Sequence, residues 1–463
     1  MRILKNVAAN YTLRLGSTLL ALVQVKILSG ALTQATLGLY FGTAGTALFL
    51  LEFLKLGTHL VLPRFVPVYR ARGEVQQARS LEGGVFLGYA LLVLLVAAGA
   101  WGLARVWPQN TFWRVLPVAL LAFGVQAWNQ LQSTALMARL RATTAAWVFL
   151  LGQGLYTLLL FWQRQGLTLH RVYGLAACAF LVSSGLALWL LKPGNPFRFR
   201  RDPELFRFAR FAVYNTFFSP VFHYFDYVVL SLASTWGSLA LFGLARRVEE
   251  FLKKILWIPL EVLAPEISLR DAATDQGRWL AAQVLRLYWF ASLALAVPAL
   301  LYRQELVVWI SKSQYAGAGL YLAILVVHVV LLGWAAPLGV AARSLGDMKL
   351  LFLADALRNG TYIPLALAFT WLWGPVGLAL SFVVSTAVSL GFLVYRAPSL
   401  GVRLPALREV SLGGVLAGTA LGVGIFVARP LGVAMTLLVL WPWWRMPSEE
   451  RRRLLYLLRQ RHG

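Results

Sequence analysis

Hydrophobic residues run along this chain in long blocks, not in short alternations. Fourteen apolar stretches of roughly membrane-spanning length fall at 11–30, 36–60, 83–104, 115–137, 143–162, 172–191, 208–232, 239–264, 281–301, 318–341, 348–370, 375–395, 410–428 and 430–444. A helix crossing a bilayer needs about 20 mostly apolar residues, so the pattern predicts an all-α polytopic membrane protein with about fourteen transmembrane helices. The first stretch follows Arg2 and Lys5 but is interrupted by Arg14 and Lys26. No small-residue cleavage site follows it, so it reads as an uncleaved helix and not a signal peptide.

Composition supports the pattern. Hydrophobic residues make up 59% of the 463 positions and charged residues only 13%, and the net charge is +25. A soluble domain would carry about twice that charged fraction. The excess of positive charge raises the question of nucleic acid, and its distribution answers it. With the N-terminus inside and the stretches alternating, 28 of the 43 Lys and Arg lie on inside segments, 7 outside and 8 within helices. This bias is the positive-inside signal of a plasma-membrane protein, and it predicts that both termini are cytoplasmic. Trp107, Trp113, Trp162, Trp236, Trp371, Trp373, Trp441 and Trp443 fall near the expected interfaces.

The halves of the chain repeat. Leu39-Tyr40 and Pro63 recur as Leu241-Phe242 and Pro265, Ala138-Arg139 as Ala342-Arg343, and Gly174-Leu175-Ala176 as Gly377-Leu378-Ala379, at offsets of 202 to 204 residues. Six stretches separate the copies, so both have one orientation, a design common among transporters. The expected organisation is a first lobe over 1–195, a second over 196–400, two further helices over 401–446, and a basic amphipathic tail over 447–463 suited to anionic inner-leaflet lipids. Gly414, Gly418 and Gly422 predict close packing of the thirteenth stretch on the fourteenth.

Ionisable residues inside membrane helices cost about 2.5–3.5 kcal/mol each on insertion scales. The eighth stretch concentrates them: Arg246, Arg247, Glu249, Glu250, Lys253, Lys254 and Glu261. At 100° per residue they fall within an arc of about 160°. Such a face belongs against water or polar partners. The second stretch, its repeat mate, carries Glu52, Lys55 and His59, the first carries Arg14, and the seventh carries His223 and Asp226. Two readings are open for each residue: an ion pair that joins helices, or a contact in a hydrated cavity. No phosphate-binding GxxxxGK[ST] loop is present, the His residues lack metal-binding spacing, and Glu305 is the sole carboxylate on the outside segments. These absences argue against a membrane enzyme such as a glycan ligase or glycosyltransferase.

At 34–74 the sequence QATLGLYFGTAGTALFLLEFLKLGTHLVLPRFVPVYRARGE resembles the opening of the polysaccharide/oligosaccharide flippases (Wzx-like polysaccharide biosynthesis proteins). These belong to the multidrug/oligosaccharidyl-lipid/polysaccharide (MOP) exporter superfamily. Asp226, Leu241-Phe242-Gly243-Leu244-Ala245-Arg246, Pro265-Glu266-Ile267-Ser268, Gln314-Tyr315-Ala316 and Gly346-Asp347-Met348-Lys349 are similar to later family patterns. The resemblance implies two parallel six-helix lobes in a V, a cationic cavity between them, and alternating access. The implied cargo is a polyprenyl-diphosphate-linked glycan, with glycosyltransferases and a polymerase of the same pathway as partners. It implies no cofactor and no metal; a proton or sodium gradient, or the membrane potential, would drive transport. On this reading Arg14, Lys55, Arg246, Arg247 and Lys254 contact the diphosphate. Glu52, Asp226 and Glu250 balance charge or bind the coupling ion. The alternatives are a peptidoglycan lipid II flippase and a multidrug or small-solute antiporter. The arginine- and aspartate-rich opening of the former and the first-helix carboxylate of the latter are not matched here.

Overall fold

The structure is a computed structural model. It describes residues 2–139, 141–200, 202–274, 276–345, 347–405 and 407–439; the side chains at 2–14, 142, 211, 214, 215, 217–219, 258, 261–266, 268–274, 407 and 408 are outside the description. The basic tail, Trp441 and Trp443 therefore lie outside the described residues, as does the Arg14 side chain.

Among the described residues the chain is all helical. The helices are α1 (Arg2–Ala31), α2 (Gln34–Leu54), α3 (Thr58–Ala71), α4 (Val75–Val106), α5 (Thr111–Ala138), α6 (Ala142–Trp162), α7 (Leu169–Leu191), α8 (Pro203–Ala233), α9 (Trp236–Thr274), α10 (Gln276–Leu301), α11 (Arg303–Trp309), α12 (Ala318–Ser344), α13 (Met348–Arg396), α14 (Leu407–Phe426) and α15 (Arg429–Val439). Among the described residues, the fourteen apolar stretches fall mainly on these helices; of the last, 430–439 is described. Nine of the described helices are long and apolar enough to cross a membrane. Several starts are fixed by short polar side chains: Thr33, Asn110, Thr168, Asp202 and Asp347 each accept a hydrogen bond from a backbone N–H of the first turn. Such caps satisfy donors that the helix leaves open.

Two elements depart from the simple reading. The stretch at 36–60 is not one helix. It breaks at Lys55-Leu56-Gly57, where Leu56 and Gly57 have φ of 44° and 73°. His59 therefore lies beyond the break and does not continue the helical face of Glu52 and Lys55. The stretches at 348–370 and 375–395 form α13, interrupted at Gly374 with φ 60°. There a Cβ on Gly377 would sit 1.9 Å from the Phe369 carbonyl oxygen, so only glycine permits the approach.

The residues fall into two compact units, Arg2–Gly243 with Ile310–Lys312, and Leu244–Trp309 with the chain from Ser313 on. In the first, α5 packs on α4 and α7, α1 on α6, and α2 on α5 and α8. Polar side chains join these helices where no water is at hand: Gln24 donates to Gln153 (2.9 Å) and Thr157 (3.0 Å), and Asn129 donates to Ser183 (3.1 Å). The segment between α7 and α8 is fastened to this unit. Gly194 N–H donates to the Arg79 carbonyl (2.8 Å), Gln77 and Arg200 exchange two bonds (2.6 and 3.0 Å), and Tyr69 donates to Asp202 (2.6 Å). Arg139 donates to the Leu191 carbonyl (2.6 Å) and pairs with fully buried Glu82. Its repeat mate, Arg343, is exposed.

In the second unit α12 packs on α10 and α13, and α14 and α15 pack on α10 and on each other. The expected packing through Gly414, Gly418 and Gly422 is corrected: a Cβ on any of them would meet nothing within 4 Å. The close approach instead runs through Gly424 and Gly432, 2.5 Å from a built Cβ to the facing Cα, with Gly413 against Trp289 and Phe290. Gly413, Ala417, Ala420 and Gly424 share a helical face; Gly414, Gly418 and Gly422 sit roughly 90–170° around the helix from it.

Candidate functional site

The polar face of α9 separates into a buried set and an accessible set. Glu249 is fully buried and accepts from Arg246 (2.6 Å) on one carboxylate oxygen. Its other oxygen faces Lys253 and His328, each at 3.0 Å. His328 comes from α12 and is fully buried. Arg246 is 1% exposed and lies over the Phe382 ring of α13, 4.3 Å from its centroid. Two helices thus supply the partners of one carboxylate, and Phe382 of a third backs Arg246 and His328. A buried carboxylate requires such partners, because desolvation alone is costly. Lys253 is 21% exposed and also lines a small, mainly apolar recess with Leu256, Trp257, Tyr288, Leu332 and Ala336.

The accessible set lies at the side of the same arc. Arg247 pairs with Glu250 at 3.0 Å, both 26% exposed, and Lys254 is exposed. Within 246–254 four cations thus stand against Glu249 and Glu250. Both Arg–Glu pairs lie at the i, i+3 spacing at which helix neighbours meet. The part of His328 was not readable, because it sits 79 residues from Glu249. Its one signal is a lone imidazole in an otherwise apolar stretch.

In the first unit Lys55 is buried, pairs with Glu52 and donates to Gln130 of α5 (3.2 Å). The break at 55–57 sets this group: a Cβ on Gly57 would lie 2.6 Å from the Ala212 backbone, so the turn rests directly on α8. Asp226 of α8 is fully buried. The structure thus brings Glu52 to Lys55, Arg246 to Glu249 and Arg247 to Glu250, each within its own unit. At the end of the first unit that holds the interhelical segment, the Tyr69 hydroxyl holds the Asp202 carboxyl below the usual carboxylate range. Burial, reinforced by Asp202, pushes the Tyr69 phenol up.

No family model and no curated protein matches the sequence. Solved structures do match. Lipid II flippase MurJ in an inward-closed conformation aligns with a TM-score of 0.70 at 13% identity, over 94% of this chain and 98% of that one. An inward-facing multidrug resistance MATE family transporter of the MOP superfamily aligns at 0.66 and 15% identity, over 83% and 95%. An outward-facing structure of such a transporter aligns at 0.60 and 14%, over 86% and 96%. The chain has the fold of these MurJ and MATE structures. The expectation of an all-α membrane protein with that kind of fold is met.

Proposed function

We propose that the protein is a flippase that moves polyprenyl-diphosphate-linked oligosaccharide from the inner to the outer leaflet of a prokaryotic plasma membrane by alternating access. The observation that carries this reading is the excess of cations at 246–254 of α9, where Arg246, Arg247, Lys253 and Lys254 stand against Glu249 and Glu250, within a MOP-like fold. A diphosphate cannot cross about 30 Å of hydrocarbon without replacement of its hydration. Guanidinium and ammonium groups in a low-dielectric site supply that replacement through charge-assisted hydrogen bonds. Arg247 and Lys254 are the accessible donors. Arg246, sequestered by Glu249, joins them when the pair opens. Arg14 and Lys55 are the proposed contacts from the first lobe, 1–195, and the others come from the second lobe, 196–400. Glu52, Asp226 and Glu250 hold the cations in place while the cavity is empty. The basic tail docks on anionic inner-leaflet lipids, and glycosyltransferases and a polymerase act before and after transport.

A second reading, lipid II as the cargo, is favoured by one observation: the lipid II flippase matches 94% of this chain, against 83–86% for the multidrug transporters. The cation excess disfavours a cationic drug as cargo. The test is leaflet exchange in proteoliposomes, with fluorescent undecaprenyl-diphosphate disaccharide and with lipid II. Flipping of the first, reduced at least about tenfold by Arg247→Ala with Lys254→Ala, is expected. Flipping of lipid II alone selects the second reading. Dye efflux without lipid movement, lost in Asp226→Asn, overturns both.

A further inference from the structure

The groups around Glu249 differ in their freedom. Arg246 is clasped between Glu249 and the Phe382 ring, and His328 is fully enclosed, with its ring 5.5 Å from that of Phe382. Lys253 is different: it is a fifth exposed, has a flexible stem and reaches the recess beside Trp257 and Tyr288. Lys253 and His328 also address the same oxygen of Glu249, each at 3.0 Å.

Charge counting then sets a linkage. With Lys253 in place, Glu249, Arg246 and Lys253 sum to one positive charge, and a proton on His328 raises the sum to two in a buried volume. With Lys253 turned to the recess, Glu249 and Arg246 cancel, and a proton adds a single charge beside a carboxylate able to hold it. The other groups that face the pair do not alter this balance. On α9 Glu250 is engaged with Arg247, α12 brings His328 itself, α13 brings the Phe382 ring, and α10 brings the Tyr288 phenol at the recess.

We propose that the Glu249–His328 pair is a proton-binding site for which Lys253 is the competitor, so that an anionic group drawing Lys253 into the recess loads a proton from water. Binding free energies are reciprocal, so the loaded proton equally favours the anion. Anion and proton then bind together and leave together, so the proton offsets one unit of the anion's charge. The identity of the anion as a diphosphate rests on the flippase reading; the proton site itself does not.

Two measurements test this in the full-length protein in nanodiscs. The first uses no ligand. Nitrogen NMR of histidine-labelled protein follows the His328 ring, assigned by its loss in His328→Gln. In Lys253→Gln, and in Lys253→Met as a check on folding, the His328 midpoint is expected to rise by about one to two pH units. Lys253→Arg is expected to restore the starting value. An unchanged midpoint overturns the proposal. The second follows proton uptake with a pH dye on addition of farnesyl diphosphate. Uptake approaching one proton per chain is expected, and its loss in His328→Gln and Glu249→Gln. Uptake that persists in both variants overturns the coupling. A His328 midpoint that shifts with Lys253 in a protein that binds no diphosphate upholds the proton site and overturns the cargo.

Discussion

Gly57 is where a single residue decides whether a membrane stretch continues. Its φ of 73° and the 2.6 Å approach of a built Cβ to the Ala212 backbone leave room for no side chain. Gly57→Ala is therefore expected to destabilise the protein by at least about 1 kcal/mol, seen as a lower unfolding midpoint in detergent. The Lys55–Glu52 pair beside it was legible from its i, i+3 spacing. The break was not, because Leu56 carries no turn signal and is forced to φ 44° by its neighbours. Asp202 makes a prediction in pH. Its carboxyl is held low chiefly by the Tyr69 hydroxyl, so the stabilisation is complete above the ordinary carboxylate value of about 4 and is lost as pH falls through the lowered native value. Thermal unfolding of Asp202→Asn across pH 2–6 is expected to show a weaker loss of stability on the acid side than the native chain. Equal slopes would discard the Tyr69 contact as the cause.

Helix packing divides the glycines into those that matter and those that do not. Along α2, Gly38, Gly42 and Gly45 face the Trp236 carbonyl, Ser231 and Tyr227, and a Cβ on Gly38 would reach within 1.7 Å of that carbonyl oxygen. Small residues at this spacing let two backbones meet. In α14 the motif legible in the sequence, Gly414, Gly418 and Gly422, proves open, and the working contact lies on another face, through Gly413 and Gly424. The error has a plain cause: spacing identifies a stripe, but the orientation of the stripe depends on partners distant in sequence. Gly418→Leu is thus expected to change stability by under about 0.5 kcal/mol, and Gly424→Leu to cost about 1–3 kcal/mol, since a Cβ there would lie 2.5 Å from Leu301. Comparable losses for the two would place the α14 contact on the wrong face.

At the scale of the molecule, segments that the charge count assigns to one side do meet one another. In the first unit 64–79, 139 and 191–204 interlock at one end, through Arg64–Glu204, Arg139–Leu191 and Gln77–Arg200. At the other, Phe112 stacks on Trp236 and Lys312 donates to the Gly30 carbonyl. In the second unit Arg286 pairs with Glu409, and Arg429 pairs with Glu305. The grouping of these segments was legible because it is written in local composition. Cross-helix partners such as His328 were not, because three-dimensional neighbours leave no local trace. The direction of the alternation is open to a labelling experiment. After removal of Cys178, Arg72→Cys is expected to react with an impermeant maleimide only from the cytoplasmic side, and Gln165→Cys only from outside. The opposite pattern would invert the proposed topology.

Helix α9 runs unbroken from Trp236 to Thr274, yet the division between the two units passes through it at Gly243/Leu244. Its first two turns are rooted in one body and the rest in the other. A joint made of loop absorbs movement; an intact helix resists bending, since a kink sacrifices backbone hydrogen bonds. Movement of its longer part is therefore expected to carry the helix as one rod. Because Arg246, Glu249 and Lys253 sit within three turns of the crossing point, the charges ride on the shaft itself.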